Sequence, residues 1–459
     1  LNFNAIFNPK NVAIIGASAT PDKVGYNCLE SVVKGGFKGK VYPVHPKYDK
    51  ILGLRTYKSI LDVEDEIELA IISLNQYLTT EILDECAEKG VKAIIAVASG
   101  FREMGEEGES LERRLSSVAR KSGITLLGPN ILGVINTHAN LYATFYPMTL
   151  RRGNVSIITQ SGGAGLTMIY KMMEEKIGIA KWVGIGNRAM VDFCHLVKYL
   201  AEDKQTDVVC IFMEGTERGR EFVEVCRETG KPVIVYKIGK GEKAEFPIFT
   251  HTAATAGDMK IYNCIFRQYG IIRVRSLREL VAKAKALSLS FKSLRFPKSN
   301  RVGVLTISAG PSLIFLDHVM EHLEFPKLRK ESIKAINERM GEKPPVVIKN
   351  PLDVASFGFL PQDFKAFAQI LTEDANIDLL VLITIQHKNW SFPREEIKEL
   401  HRKYDKPFII CYPSEYQAAR LEMEKMQEES IPFYTTPEEA AWGATALWEY
   451  VKNKRRTQT

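Results

Sequence analysis

The segment best suited to do chemistry is Phe249-Thr250-His251-Thr252-Ala253-Ala254-Thr255-Ala256-Gly257-Asp258. A histidine between two threonines, followed by small residues and a glycine, does not fit a buried helix face; it describes an exposed imidazole on a close-packed loop. A neutral imidazole attacks activated phosphorus, and the phosphohistidine it forms needs backbone amides or a helix N-terminus around its three oxygens. Two turns could supply them: Ser161-Gly162-Gly163-Ala164-Gly165, ahead of an apolar helix, and Ser308-Ala309-Gly310. Glu214, closing the run Ile211-Phe212-Met213, is the candidate carboxylate that fixes the imidazole tautomer. The plainer readings are an ordinary loop histidine and a surface carboxylate.

A second chemical signal stands near the start. Gly16-Ala17-Ser18 follows an apolar strand and leads through Lys23 to Gly25 at the opening of a helix. Such a turn aims amides and the positive helix end at an anion, and Lys23 adds a point charge for a further phosphate, which suits a nucleotide-like ligand. An unliganded strand-to-helix turn is the bland alternative. Later strand ends share the same sheet edge, where ligands of open parallel sheets bind: Pro43-Val44-His45-Pro46, Ser73-Leu74-Asn75, Ser99-Gly100-Phe101 and Gly128-Pro129-Asn130. Turn chemistry alone also favours these residue types.

The elements that must position these groups follow one pattern, a short β-branched run and then an amphipathic stretch. Val12–Ile15, Lys40–Val44, Leu69–Ile72, Ala93–Val97 and Ile124–Leu127 predict a parallel doubly wound sheet over residues 1–145. The pattern restarts with Val155–Ile158, Val208–Phe212 and Val233–Tyr236, predicting a second α/β domain over 146–290. The polar, proline-bearing stretch 291–300 suits a linker, and Val302–Leu305, Leu379–Ile383 and Phe408–Cys411 predict a third domain over 301–459. Val155 to Gly163 is echoed by Val302 to Gly310, which suggests a diverged internal duplication.

Composition narrows the function classes. The 459 residues carry 62 Lys and Arg against 55 Asp and Glu, a net charge of +7 dispersed along the chain, so nucleic acid is not the expected partner. Apolar runs fall short of a membrane span, and the Leu1-Asn2-Phe3-Asn4 start lacks the pattern of a secretory leader. Seven cysteines without a Cys-x-x-Cys pair point to a reducing, cytoplasmic compartment and to no structural metal. The first turn lacks Gly-x-Gly-x-x-Gly, and the second strand ends in Pro43-Val44-His45-Pro46 rather than an acidic residue, which argues against a dinucleotide-dependent oxidoreductase.

Together these segments resemble the α subunits of the ADP-forming acyl-CoA synthetases, in the succinyl-CoA synthetase superfamily. The resemblance spans the chain: the Gly16-Ala17-Ser18 turn with Lys23 and Gly25, Pro43-Val44-x-Pro46, Ser99-Gly100-Phe101, Gly128-Pro129-Asn130, Gln160-Ser161-Gly162-Gly163, Gly186-Asn187, the His251 loop through Gly257-Asp258, and Asn350-Pro351-Leu352-Asp353. It implies an α/β chain of three doubly wound domains, a Rossmann-like CoA-binding domain followed by two flavodoxin-like ligase domains. Carried over, it implies that His251 is transiently phosphorylated, that Glu214 steadies it, that Gln160, Ser161, Gly162 and Gly163 hold the phosphoryl group, and that CoA crosses the first domain at Gly16, Ala17, Ser18, Lys23, Gly25, Pro43, His45, Ser73, Ser99 to Phe101 and Gly128 to Asn130. CoA is then a substrate, with phosphate and a small carboxylic acid, and no cofactor is tightly bound. ADP or ATP with magnesium would sit on a separate ATP-grasp β subunit in an α2β2 assembly, since no stretch here resembles an ATP-grasp domain. The sequence departs from the family pattern at His45, Asn75, Ile131, Thr250 and Ala253. The competing reading is a CoA or acyl-CoA sensor without turnover.

Overall fold

The computed structural model describes residues 1–239, 259–341, 347–386 and 392–458. The apolar runs form three sheets. In the first, β1 (Asn11–Ile15), β2 (Lys40–Val44), β5 (Leu69–Ile72), β6 (Ala93–Ala96) and β7 (Thr125–Leu127) are parallel in the order β2-β1-β5-β6-β7, while β3 (Lys50–Ile51) and β4 (Leu54–Arg55) make a short separate ribbon. Every residue of β5 and β6 is buried, as strands covered by helices on both faces must be, which is why they read as unbroken Leu, Ala and Ile.

The second sheet has β8 (Gly133–Asn136), β9 (Leu141–Thr144), β10 (Arg152–Thr159), β11 (Ile179–Gly184), β12 (Val208–Met213), β13 (Val233–Lys237) and β14 (Ile272–Val274), in the order β14-β13-β12-β10-β11-β8-β9. The third has β15 (Val302–Thr306), β16 (Leu352–Asp353), β17 (Leu379–Ile383), β18 (Phe408–Cys411) and β19 (Phe433–Tyr434), in the order β16-β15-β17-β18-β19. With the antiparallel hairpin β8–β9 of the second sheet set aside, each sheet places its opening strand between its second and third, the 2-1-3-4-5 order of doubly wound folds, so each has a switch point at the carboxyl ends of those first and third strands.

The chain divides into two compact units, Leu1–Arg273 and Val274–Thr459, with β14 spanning the division. Two details differ from the sequence expectation. The hairpin β8–β9, within residues 1–145, joins the second sheet by antiparallel pairing of Lys181 to Asn136 and Trp182 to Ile135. The helix Leu277–Ser293, most of it expected within 146–290, belongs to the later unit: Lys285 donates to the Phe433 carbonyl at 2.7 Å and Ala282 accepts from the Tyr434 hydroxyl at 2.7 Å. Part of the expected linker is therefore its last turn.

The echo between the second and third domains extends to side chains. Thr159 Oγ1 donates to the Ser161 carbonyl at 2.6 Å and Thr306 Oγ1 to that of Ser308 at 2.7 Å. Lys231 donates to the carbonyls of Leu200 and Asp203, and Lys406 to those of Leu371 and Asp374. Among the described residues, no helix is long and apolar enough to cross a membrane, and no group of three His, Cys, Asp or Glu residues could hold a metal ion.

Candidate active site at the carboxyl edges of two sheets

The first-sheet turn is built by two glycines in contact. Gly16 adopts φ +82°, donates to the Val44 carbonyl at 3.0 Å, and would drive a Cβ to 2.7 Å from Leu74. Gly25, in the first turn of the helix Val24–Lys34, would place a Cβ 1.9 Å from the Gly16 carbonyl oxygen, so the helix sits on the turn only because neither residue has a side chain. Lys23 is the exposed N-cap and no side chain caps the helix. Ala17 and Ser18 are buried, and Ser18 Oγ accepts from the Thr20 amide at 3.0 Å. Ser73 braces the turn, its hydroxyl facing the carbonyls of Ile15 at 3.1 Å and Gly16 at 3.2 Å.

The remaining strand ends differ in what they offer. Ser99 is exposed, and Gly100, at φ +101°, donates to Glu103 at 2.7 Å. Phe101 is fully buried in the first core, so only its backbone could meet a ligand. Pro43 is likewise buried within β2, where its carbonyl accepts from Tyr57, whereas His45 lies just past the strand end beside Tyr48. Burial lowers the His45 pKa, and Lys47 and Lys23 lower it further. Asn130 follows Gly128 and Pro129 at φ +62°, donates to the Ala98 carbonyl through its amide, and reaches Asn187 at 3.3 Å.

On the second sheet, Ser161 caps the helix Gly162–Glu174 by accepting from the Ala164 amide at 3.4 Å. A Cβ on Gly163 would meet nothing within 4 Å, so the helix start is open on that side. Gln160 reaches across the switch point, where its Oε1 accepts from the amides of Glu214 at 3.0 Å and Gly215 at 3.2 Å. The turn at Gln160 and Ser161 and the half-buried Glu214 are thus one assembly, a link the sequence did not reveal. Lys237, fully buried at the end of β13 with Met213 as its register partner, lies close enough to Glu214 to feel its charge; burial lowers its pKa and Glu214 opposes that.

A cavity of about 310 Å³ joins the two edges: Ser73, Ser99 and Asn130 from the first sheet, Gly162 from the helix start, and Ile131 between them. Gly16, Lys23, His45 and Glu214 do not line it. His251 lies outside the described residues.

Similarity to known proteins follows the same division. Residues 10–137 match a CoA binding domain family, and residues 152–287 match the succinyl-CoA ligase like flavodoxin domain family. The chain is 34% identical over 458 residues to the acetate–CoA ligase [ADP-forming] II subunit alpha of Pyrococcus furiosus, covering 97% of each chain. It is 33% identical to the I subunit alpha of the same organism, covering 99% of each. This chain belongs to the α subunits of the ADP-forming acyl-CoA synthetases. Among solved structures, the chain is similar to the dinucleotide forming acetyl-coenzyme A synthetase 1 of Ca. Korarchaeum cryptofilum, in complex with phosphate and ADP, at a TM-score of 0.91, 30% identity and coverage of 99% of this chain and 98% of that one. Within this synthetase subunit, the cavity runs from the CoA-binding domain to the first flavodoxin-like domain.

Proposed function

We propose that this synthetase subunit carries the acyl half of the reaction in the cavity between its first two sheets, with His251 as phosphoryl carrier. CoA lies along the first edge: the Gly16 turn and the helix start at Lys23 take its phosphates, and the chain of strand ends at Ser73, Ser99 and Asn130 leads its thiol end to Gly162. There, phosphate attacks the thioester carbonyl, the C–S bond breaks, and acyl phosphate and CoA result. His251 then attacks the phosphorus and the carboxylate leaves; the phosphohistidine passes its phosphoryl group to ADP. The amides at Gly162 and Gly163 face the developing phosphoryl charge, and Glu214, held through Gln160 and flanked by Lys237, orients the imidazole.

The observation that supports this reading is the shared cavity, which brings the first-sheet strand ends Ser73, Ser99 and Asn130 and the helix start at Gly162 within one small space. Nucleotide and magnesium sit on an ATP-grasp β subunit in an α2β2 complex, and the free cysteines suit a reducing cytoplasm. A CoA sensor without turnover is not favoured, because the relatives are named as ligases. The test is His251→Asn, reconstituted with an ATP-grasp partner, ATP, magnesium, acid and CoA. It should lose acid-labile phosphate labelling and acyl-CoA synthesis while retaining CoA affinity; near-parental synthesis would overturn the carrier role.

A further inference from the structure

Away from the 310 Å³ cavity, the first unit holds a second one of about 630 Å³, between the helix Glu106–Lys121 and the loops that follow β11 and β12. Its lining is unusual in carrying five arginines from three separate segments: Arg102, Arg113 and Arg120, then Arg188, then Arg218. Two have close carboxylate partners, Arg218 with Asp192 at 2.8 Å and Arg113 with Glu109 at 3.2 Å. The other three do not. Arg102 approaches Glu112 only to 3.6 Å, Arg120 reaches the Ala189 carbonyl at 3.4 Å, and Arg188 reaches Glu217 at 3.5 Å. Some arginines elsewhere close on carboxylates at 2.5–2.8 Å, as Arg394 does on Glu422 and Arg301 on Asp378, whereas exposed Arg329 and Arg114 stay 3.3 and 3.9 Å from Glu331 and Asp84.

Arg188 is the centre of this deficit. Its side chain is 7% exposed, its Nε has no hydrogen-bond partner, and the carboxylate its guanidinium reaches, Glu217 at 3.5 Å, is 79% exposed. Burial lowers its pKa and Arg102 adds to the lowering, while Glu217 and, to a smaller extent, Asp192 and Glu214 oppose it. The backbone holds it there at a cost: Arg188 sits at φ +59°, while Asn187 beside it is tied to Glu103 at 2.6 Å and to Glu112 at 2.8 Å. A buried guanidinium with unused donors is expensive unless an anion completes it, and the planar fork of arginine matches phosphate oxygens. The carboxylates of the lining fill that need only in part: Asp192 and Glu109 are engaged by Arg218 and Arg113, Glu112 accepts from Asn187, and Glu217 meets Arg188 at 3.5 Å from a largely exposed position.

We propose that this cavity is a binding site for a diphosphate-bearing anion, lined by none of the residues placed at the CoA edge or the phosphoryl site, with Arg188 beneath the anion and Arg102 and Arg120 closing on it. A diphosphate rather than a single phosphate fits both the spread of three cations and a volume within the range of small-molecule sites. Such a diphosphate could be inorganic or part of a nucleotide, and the experiment separates the two. Inorganic pyrophosphate and, separately, ADP are titrated calorimetrically into the full chain, its Lys23→Ala variant, Arg188→Met and Arg120→Ala. Saturable binding retained in Lys23→Ala, weakened at least tenfold in Arg188→Met and several-fold in Arg120→Ala, supports the site; the tighter of the two probes identifies the source. Arg120 is exposed, so its variant remains informative if Arg188→Met does not fold. Absence of saturable binding for both probes, or binding lost in Lys23→Ala and unchanged in Arg120→Ala, overturns the proposal.

Discussion

Glu214 and Lys23 show how much chemistry single residues expose to a reader of sequence. A carboxylate ending an apolar strand and a lysine opening a helix are legible because their neighbours are apolar or small; what the sequence hides is the bond by which the Gln160 side chain ties the Glu214 amide to the Ser161 turn. That link leaves the Glu214 carboxylate out of the backbone bond, so Glu214→Gln should keep the fold. It should slow histidine phosphorylation on the order of 10- to 100-fold, the usual cost of losing an outer orienting group; equal rates in rapid-quench labelling with the β partner would return Glu214 to a surface role. Lys23→Ala removes one charged contact to a CoA phosphate and should weaken CoA about tenfold by calorimetry, a change of about 1.4 kcal/mol. The arginines around Arg188 lie beyond such reading, since they come from three stretches with no local pattern.

At the scale of elements, strands buried on both faces announce themselves, and three of those missed have a plain physical reason. β11 is interrupted by Lys181, which reads as polar yet is buried against Asp203 at 2.6 Å and Gln205 at 2.8 Å, while β16 and β19 are two residues long. Close approach sets the next prediction. In Gly25→Ala the new methyl would stand 1.9 Å from the Gly16 carbonyl, so the helix Val24–Lys34 must shift; stability should fall by about 1–3 kcal/mol and CoA affinity with it, read by thermal melting and calorimetry. The helix Phe193–Glu202 supplies a pH test. Its cap Asp192 is pushed up by burial, but hydrogen bonds from His195 and Arg218 prevail and hold it at about 2, below the ordinary 3.8. A depressed carboxyl stabilises the fold above its unfolded pKa and loses that contribution as pH falls through the folded one. The parent should therefore exceed Asp192→Asn by about 2 kcal/mol at pH 6, with the gap closing between pH 4 and pH 2 in denaturant titrations.

Over the whole molecule, three sheets with one strand order make boundaries hard to read, because each repeat ends in a helix that could pack on its own sheet or on the next. The sequence suggests a break at 291–300, where polar residues and Pro297 cluster. Packing puts it earlier. The helix Leu277–Ser293 buries Leu280, Val281, Leu287 and Leu289, and lies along the long C-terminal helix Pro437–Gln458, with Lys283 donating to Glu449 at 2.9 Å. Each of those four apolar side chains is worth about 1.5–3 kcal/mol when buried, and a domain's whole stability is about 5–15 kcal/mol. Removing the helix would also strip Lys285 from the Phe433 carbonyl and the Ala282 carbonyl from the Tyr434 hydroxyl. A fragment of residues 275–459 should therefore fold with a cooperative thermal transition by circular dichroism, whereas one of residues 301–459 should melt without cooperativity or aggregate. Equal cooperative melting of the two fragments would place the boundary at the polar stretch after all, and would assign Leu277–Ser293 no part in holding the later unit together.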